Sequence, residues 1–288
     1  MKAKKINSDE LKALVTLLDD SDDEVVELVE SKIRSLGNAV IPDLESHWET
    51  IFNPVIQKKL EDIIHSMQFN RLQDRLIDWK DSENQDLLEG MWLVATYLYP
   101  DLDYSKIKND LEQIFYDVWL EFKTDALPYE QVKILNSVMF DKLLYKPNSK
   151  NFHAVSNSMI NRVLETRKGN PLSLCAIYMI VAQKLKMPVY GVNLPNLFML
   201  VFKTEKNQFY INAFNRGIIF TREDIDNYIK HLNLTPMDLF YEPCSNKDAV
   251  RRLMRNLMAS FDKVGDHDKS EEIKILLQTI TEGNEIDY

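Results

Sequence analysis

The sequence has few cysteines, glycines and prolines, and each shortage excludes a class of structure. Two cysteines among 288 residues are too few for a disulfide framework, so an apolar core must hold the fold together. Seven glycines and ten prolines argue against a turn-rich sandwich or barrel and favour helices. The five histidines are scattered, and no cysteine–histidine pair has the spacing of metal ligands. We therefore expect neither a metal nor another cofactor.

Membrane-spanning segments and clusters of positive charge are also missing. The N-terminal segment MKAKKINSDELK is basic but contains no apolar run, so it does not resemble a signal peptide. The most apolar helical segment is shorter than the roughly 20 residues that a membrane span requires. A net charge of −10 disfavours phosphate backbones and anionic lipids. These features predict a cytoplasmic protein without nucleic-acid or membrane partners.

Amphipathic periodicity predicts helices along most of the chain and divides it into three regions. Residues 1–83 are expected to form an N-terminal helical region, either a HEAT-like unit or an ordinary bundle. Residues 84–243 are expected to form the core. Residues 244–288 are expected to form a helical hairpin similar to one tetratricopeptide repeat, and a single repeat cannot build a superhelical groove.

The sequence also predicts the bounds of two further helical segments. The apolar pattern after Pro54 predicts one helix to Met67 and a second from Phe69 to Trp79. The pattern from Tyr129 to Tyr145 predicts a single long helix.

The longest apolar stretch, residues 157–202, organises the core. Its segment Leu172–Lys186 is apolar on nearly every side, which predicts a central buried helix. Pro171 suits the first helical position, where its missing N–H group costs nothing, and Asn170 or Ser173 can cap the first turn. Gly169 is expected to supply conformational freedom to the preceding loop.

Short strands are predicted after this helix, separated by turn residues. They cover residues 189–192, 198–203, 208–213 and 218–220. A buried helix followed by antiparallel strands predicts an α+β fold that is predominantly helical.

Several short signatures occur within and around this stretch. They are Tyr99 to Asp103, Leu135-Asn136, Met139-Phe140, Asn161, Val163-Leu164, Arg167, Gly169 to Leu174, Gly191-Val192, Leu194-Pro195, Phe198, Ala213 to Asn215, and Gly217. In this order they resemble the transglutaminase-like superfamily, specifically the bacterial transglutaminase-like core 2 family with its tetratricopeptide-like tail. The resemblance covers about residues 86–280 and implies a transglutaminase-like core for residues 84–243.

The resemblance also implies that the catalytic groups are absent. Active superfamily members use a Cys–His–Asp triad, in which a helix N-terminus and an imidazole activate the thiolate. The corresponding positions here are Pro171, Leu197 and Asn212. None of these side chains can act as a nucleophile or as a base at neutral pH, which is typical of a pseudoenzyme.

Other residues near these positions were weighed as replacements. Cys175 lies one helical turn deeper than Pro171 and is expected to be a buried, inert thiol. Ser173 has no obvious base, because no histidine occurs between His153 and His231. The amides of Asn196, Asn212 and Asn215, together with Asn170 and Ser173, form a candidate binding groove, although asparagine also serves turns well.

Two functions follow from these residues. The first is a non-catalytic interaction or regulatory module that binds a protein or peptide partner. The alternative is a hydrolase or acyl transferase whose nucleophile is displaced to Cys175 or Ser173. The alternative requires an environment that stabilises a thiolate. The apolar neighbours of Cys175 are expected to destabilise the thiolate and raise the pKa of the thiol.

Overall fold

The computed structural model describes residues 8–281, so the first seven residues and residues 282–288 lie outside the described part. The chain divides into two compact units, Met1–Arg75 and Leu76–Tyr288. The division into three regions at residues 83 and 243 stays a prediction, as does the choice between a HEAT-like unit and a bundle.

The first unit is helical. Its helices are α1 (Ser8–Thr16), α2 (Asp23–Ser35), α3 (Ile41–Thr50) and the N-terminal part of α4 (Pro54–Asp81). Leu18, Ile33 and Leu44 are among the buried residues of its apolar core. The two helices predicted after Pro54 are one continuous helix, because Gln68 between them is a good helix former and no glycine or proline interrupts the pattern.

The second unit contains eight further helices within the described residues. They are α5 (Leu87–Thr96), α6 (Tyr104–Trp119), α7 (Pro128–Asn136), α8 (Ile160–Thr166), α9 (Pro171–Lys184), α10 (Arg222–His231), α11 (Asn246–Val264) and α12 (His267–Thr279). No helix in residues 8–281 combines the length and the apolar character that a membrane crossing requires.

The helix predicted from Tyr129 to Tyr145 changes its winding part-way. It is α-helical to Asn136 and continues as a π-helix over Ser137–Lys142. Leu144 then adopts a left-handed conformation with φ of 61°. Periodicity alone did not predict this change, because three consecutive apolar residues, Val138, Met139 and Phe140, are buried here and such a run is compatible with either winding.

The second unit also contains a small antiparallel sheet. Its strands pair in chain order as β3 (Val189–Leu194), β4 (Leu197–Lys203), β5 (Gln208–Asn212) and β6 (Ile218–Phe220). Two shorter strands, β1 (Lys146–Pro147) and β2 (Lys168–Gly169), form a separate parallel pair. The predicted α+β class with predominant helix is confirmed.

The two faces of this sheet are covered by different helices. Side chains that include Val201 and Tyr210 pack with Ile225 and Ile229 of α10. Helix α9 contacts strands β3 and β4, and its Cys175 Sγ lies 3.5 Å from the carbonyl oxygen of Phe198. The central buried helix predicted from the sequence is therefore present.

The C-terminal helices form the predicted hairpin. Helix α11 packs along α12 and also contacts α5, α9 and β3. It therefore belongs to the core of the second unit. Its likeness to a tetratricopeptide repeat stays a prediction.

A hydrogen-bonded amide joins three elements of the second unit. The Asn136 Nδ2 atom donates to the carbonyl oxygen of Gly217 at 2.8 Å, and its Oδ1 atom accepts from the Tyr178 hydroxyl at 3.0 Å. Gly217 has φ of 72°, and a Cβ atom there would lie 2.0 Å from Asn136 Oδ1. The end of α7, the β5–β6 turn and α9 are thus held together by one side chain.

Replacing Asn136 should therefore destabilise the protein. We expect Asn136→Ala to lower the free energy of unfolding by about 1–3 kcal/mol, because it leaves the Tyr178 hydroxyl without its acceptor. Urea denaturation measures the change. As a control, Asn109→Ala on the exposed face of α6 should change stability by no more than about 0.5 kcal/mol. Equal stability of the two variants would contradict the assignment.

Candidate functional site

The N-terminus of α9 is closed by a reciprocal cap. Asn170 Oδ1 accepts from the Ser173 backbone N–H at 2.8 Å, and Ser173 Oγ accepts from the Asn170 backbone N–H at 3.0 Å. Pro171 occupies the first helical position. Asn170 Nδ2 also donates to Ser158 Oγ at 3.0 Å. Both predicted capping residues are therefore committed to hydrogen bonds inside the protein.

Gly169 is required for space and not for conformational freedom, which corrects the expectation from the sequence. The left-handed residue of this loop is Arg167, with φ of 57°. A Cβ atom at position 169 would lie only 2.4 Å from Ser173 Oγ, the oxygen that completes the cap. The absent side chain of Gly169 thus allows the reciprocal cap to form.

A cavity of about 190 Å³ opens beside Pro171. Four parts of the second unit surround it: the start of α9, the turn between β3 and β4, the loop at residues 152–153, and α11. Its lining consists of Phe152, His153, Asn170, Pro171, Leu172, Asn196, Phe198, Arg252, Asn256, Ala259 and Ser260. We call this the α9 pocket.

The α9 pocket includes some of the residues that the sequence singled out and omits others. Asn170, Pro171 and Asn196 line it, whereas Leu197, Asn212 and Asn215 do not. Leu197 packs against the cluster that α10 covers. This follows from strand alternation, because neighbouring residues of β4 point to opposite faces of the sheet.

The remaining two asparagines of the candidate groove belong to a turn. Asn212 Oδ1 accepts from the Asn215 backbone N–H at 3.1 Å and caps a short 3₁₀ helix. Asn196 stands at the β3–β4 turn in a left-handed conformation with φ of 59°. Of these three amides, only Asn196 faces the α9 pocket.

Four polar residues of the pocket were missed by the sequence analysis. His153 comes from the polar loop before α8, and Arg252, Asn256 and Ser260 come from α11. The spacing of the last three, four residues apart, places them on one helix face. That spacing is visible in the sequence, but only the packing of α11 against the core brings this face to the N-terminus of α9.

Arg252 gives the pocket its electrostatic character. Its Nη1 atom donates to Asn193 Oδ1 at 2.9 Å and to the Leu194 carbonyl oxygen at 3.4 Å. Burial lowers the pKa of Arg252, and the nearby charge of Arg255 lowers it further. The lining contains no carboxylate that would compensate this charge. An anionic group that entered the pocket would compensate the charge of Arg252.

Cys175 lies outside the pocket and is completely buried. Its side chain is 0% exposed, and burial raises the pKa of its thiol to about 12. Its Sγ atom donates to the Phe198 carbonyl oxygen. The predicted burial of this thiol is confirmed, and its inertness stays a prediction that rests on the need of a reactive cysteine for a low pKa and access to its substrate.

The hydroxyl groups near the pocket lack a catalytic partner as well. Ser173 is 0% exposed and participates in the helix cap. Ser260 donates to the Asn256 carbonyl oxygen at 2.8 Å and makes no hydrogen bond to His153. Within residues 8–281, no three side chains of His, Cys, Asp or Glu are grouped to hold a metal ion.

Comparison with known proteins places this site in a family. The sequence profile described as "Transglutaminase-like superfamily" matches residues 105–255, which include β3 to β6, α9 and the first half of α11. The chain belongs to the transglutaminase-like superfamily. Membership in this superfamily confirms the resemblance seen in the sequence. The loss of the Cys–His–Asp triad at Pro171, Leu197 and Asn212 stays a prediction.

Individual relatives of this superfamily member extend from bacteria to mammals. A UPF0162 protein of Xylella fastidiosa (strain 9a5c) is 27% identical over 198 residues, or 66% of this chain and 70% of that protein. UPF0162 protein YchA of Escherichia coli (strain K12) is 28% identical over 181 residues, or 60% of this chain and 66% of its own length. F-box only protein 21 of Mus musculus is 27% identical over 134 residues, which cover 43% of this chain and 21% of that protein. No solved structure matches the chain significantly.

The passive character of Cys175 can be tested by alkylation. In a Cys244→Ser variant, iodoacetamide should label Cys175 very slowly until denaturant is added, since a pKa of about 12 leaves only about one thiol in 10⁵ ionised at pH 7. Mass spectrometry of the intact protein measures the extent of labelling. Raising the pH from 6 to 9 should leave the native protein unlabelled, because access is also blocked. Rapid labelling of the native variant would restore the thiol-enzyme hypothesis.

Proposed function

We propose that this member of the transglutaminase-like superfamily is a non-catalytic binding module that holds a carboxylate of a protein or peptide partner in the α9 pocket. The observation that carries the proposal is the half-buried Arg252, whose hydrogen bonds go to neutral oxygens in a pocket that has no carboxylate of its own. Since a desolvated cation is stabilised by an opposite charge, the pocket favours an anionic group over a neutral one.

The position of the pocket strengthens this preference. It opens at the N-terminus of the 14-residue helix α9, where the helix dipole adds a partial positive charge. Asn196 and Asn256 bring amide groups to the same lining. A carboxylate would therefore meet one full positive charge and several hydrogen-bond donors, on a chain whose overall charge is −10.

The size of the pocket favours one chemical group of a larger partner. A volume of about 190 Å³ is below the range of about 300–1,000 Å³ that is typical for small-molecule sites. It suffices for an acidic side chain or a chain terminus. Phe152, 47% exposed and in edge-to-face contact with Phe214, provides an apolar surface at the mouth for the rest of a peptide.

The alternative function, a hydrolase or acyl transferase that uses Cys175 or Ser173, has less support. Both side chains are fully buried, and neither is hydrogen-bonded to a histidine or a carboxylate. Nucleophilic catalysis requires an accessible nucleophile beside a base. A binding function requires only shape and a few polar groups, and the α9 pocket has both.

A competition experiment tests the proposal. Partners retained by the immobilised protein from a native lysate would be eluted with acetylated tetrapeptides that end either in a free carboxylate or in a carboxamide. We expect elution by the carboxylate series and at least about tenfold weaker elution by the carboxamides, because a charged hydrogen bond is worth about 1.5–3 kcal/mol. Arg252→Gln should abolish the difference between the two series.

A matched pair of variants separates the pocket from the rest of the surface. Asn196→Trp should fill the pocket and release the partner. Asn233→Trp should not, although Asn233 is also a left-handed asparagine, with φ of 56°, at an exposed turn. Equal retention by both variants, or equal elution by both peptide series, would refute the proposed site.

A further inference from the structure

The first unit leaves three large apolar side chains outside its core, close to the junction of two turns. Phe52 is 95% exposed in the turn between α3 and α4. Val55 in the first turn of α4 and Leu17 in the 3₁₀ turn Leu17–Asp19 after α1 are also exposed. A single exposed apolar side chain is ordinary, whereas a contiguous group marks an interaction surface. Whether these side chains share one surface depends on how the two turns lie.

Two hydrogen bonds hold the two turns side by side. Asn53 Nδ2 donates to Asp19 Oδ2 at 2.7 Å, and Lys59 Nζ donates to the Leu18 carbonyl oxygen at 2.9 Å. These bonds join the start of α4 to the 3₁₀ turn after α1. The exposed apolar side chains therefore surround one junction. We call Leu17, Phe52 and Val55 the Phe52 patch.

An acidic segment borders the Phe52 patch. Residues 19–24 read DDSDDE, and all five acidic residues are exposed. Between Lys12 and Lys32 the sequence contains no lysine or arginine. Within residues 8–281, the hydrogen bonds that these carboxylates accept come from neutral groups, namely the Asn53 amide and backbone N–H groups. Since the Lys59 ammonium is hydrogen-bonded to a carbonyl oxygen, the border of the patch keeps a strong negative charge.

The acidic segment has more negative charge than the start of α2 requires. Asp22 caps this helix, since its Oδ1 atom accepts from the Glu24 backbone N–H at 3.0 Å. Asp23 and Glu24 lie in the first turn, where the helix dipole favours them. One capping acceptor suffices, however, and a neutral serine or asparagine supplies it equally well. Five neighbouring carboxylates repel one another, and a cation from outside would relieve that repulsion.

This charge decides which kind of partner suits the exposed apolar group. Anionic lipids and nucleic acids would be repelled by the acidic segment. A second copy of the chain in a two-fold contact would bring the same patch, and with it the same negative charge, against the first. A segment that carries lysine or arginine beside apolar side chains meets both the acidic border and the Phe52 ring favourably.

We propose that the Phe52 patch docks a basic, amphipathic segment of a partner protein. Apolar side chains of the segment would cover Leu17, Phe52 and Val55, with the Phe52 ring as the central anchor. Its lysines or arginines would lie against Asp20 and Asp23. This surface belongs to the first unit, whereas the α9 pocket belongs to the second, so the inference does not rest on the carboxylate-binding function.

A labelled model peptide tests the proposal by fluorescence anisotropy. The probe is a short amphipathic peptide of leucine and lysine at helical spacing. We expect it to bind the full chain with a dissociation constant of about 50 μM or lower. The same peptide with serine in place of leucine, or with glutamate in place of lysine, should bind at least about tenfold more weakly, because each lacks one of the two complementary features.

Variants of exposed residues locate the binding surface. Phe52→Ser should weaken binding at least about tenfold, since it removes the central anchor. Leu120→Ser, which removes a side chain that is 74% exposed at the end of α6 in the second unit, should bind the peptide like the wild type. Both positions are on the surface, so both variants should fold.

A second pair of variants tests the acidic border. Asp20→Asn combined with Asp23→Asn should weaken binding at least about threefold and reduce its dependence on salt. Asp101→Asn combined with Asp110→Asn removes the same charge from exposed positions in the second unit and should leave the affinity unchanged.

Several outcomes would overturn the proposal. They are failure of the leucine–lysine peptide to bind, equal binding of the glutamate peptide, and equal affinity of the Phe52→Ser and Leu120→Ser variants. Sedimentation of the wild type as a dimer that Phe52→Ser dissociates would assign the patch to a second copy instead. Binding to anionic vesicles that Phe52→Ser abolishes would assign it to a lipid surface.

Discussion

The burial of the α9 N-terminus is the constraint on which much of the second unit depends. The first turn of a helix has backbone N–H groups without intrahelical partners, and inside a protein water cannot satisfy them. The Asn170–Ser173 pair supplies two of the missing hydrogen bonds, and Pro171 removes a third donor altogether. Gly169 is needed because a side chain there would occupy the place of the Ser173 oxygen.

The same burial decides which chemistry is possible around α9. Cys175 lies within the sheet–helix interface, where desolvation disfavours its thiolate. Ser173 is occupied by the cap. What remains open to solvent beside the helix is a small pocket with one uncompensated arginine, and such a pocket is suited to binding a charge. The physical character of the region supports recognition of an anion over attack on a substrate.

The α9 pocket is characterised by a cation that the protein leaves without an opposite charge. It offers Arg252 and neutral amides, which favour a single negative charge. This ligand class follows from the desolvation of Arg252, because a partly buried cation without a nearby anion costs free energy in the folded chain.

Much of the fold was predictable from local patterns. The period of the apolar residues predicted the helices and the four antiparallel strands, and the Asn170-Pro171 dipeptide predicted the start of α9. The continuity of α4 through Gln68 and the π-helix after Asn136 were not predicted. A single polar residue does not show whether a helix ends, and the consecutive apolar residues 138–140 are compatible with an α-turn or a π-turn. Of the residues that the sequence singled out, Asn170, Pro171 and Asn196 lie beside the α9 pocket, and their role in binding stays a prediction.

The sequence by itself determined the class of fold, the buried central helix, its cap and the burial of Cys175, because each follows from residues close together in the chain. Only the tertiary structure decided which polar groups meet. Arg252 reaches the start of α9 from a helix some 80 residues later. Contacts between such distant residues depend on how the helices pack. Packing is a property of the whole core, and no local sequence pattern encodes it.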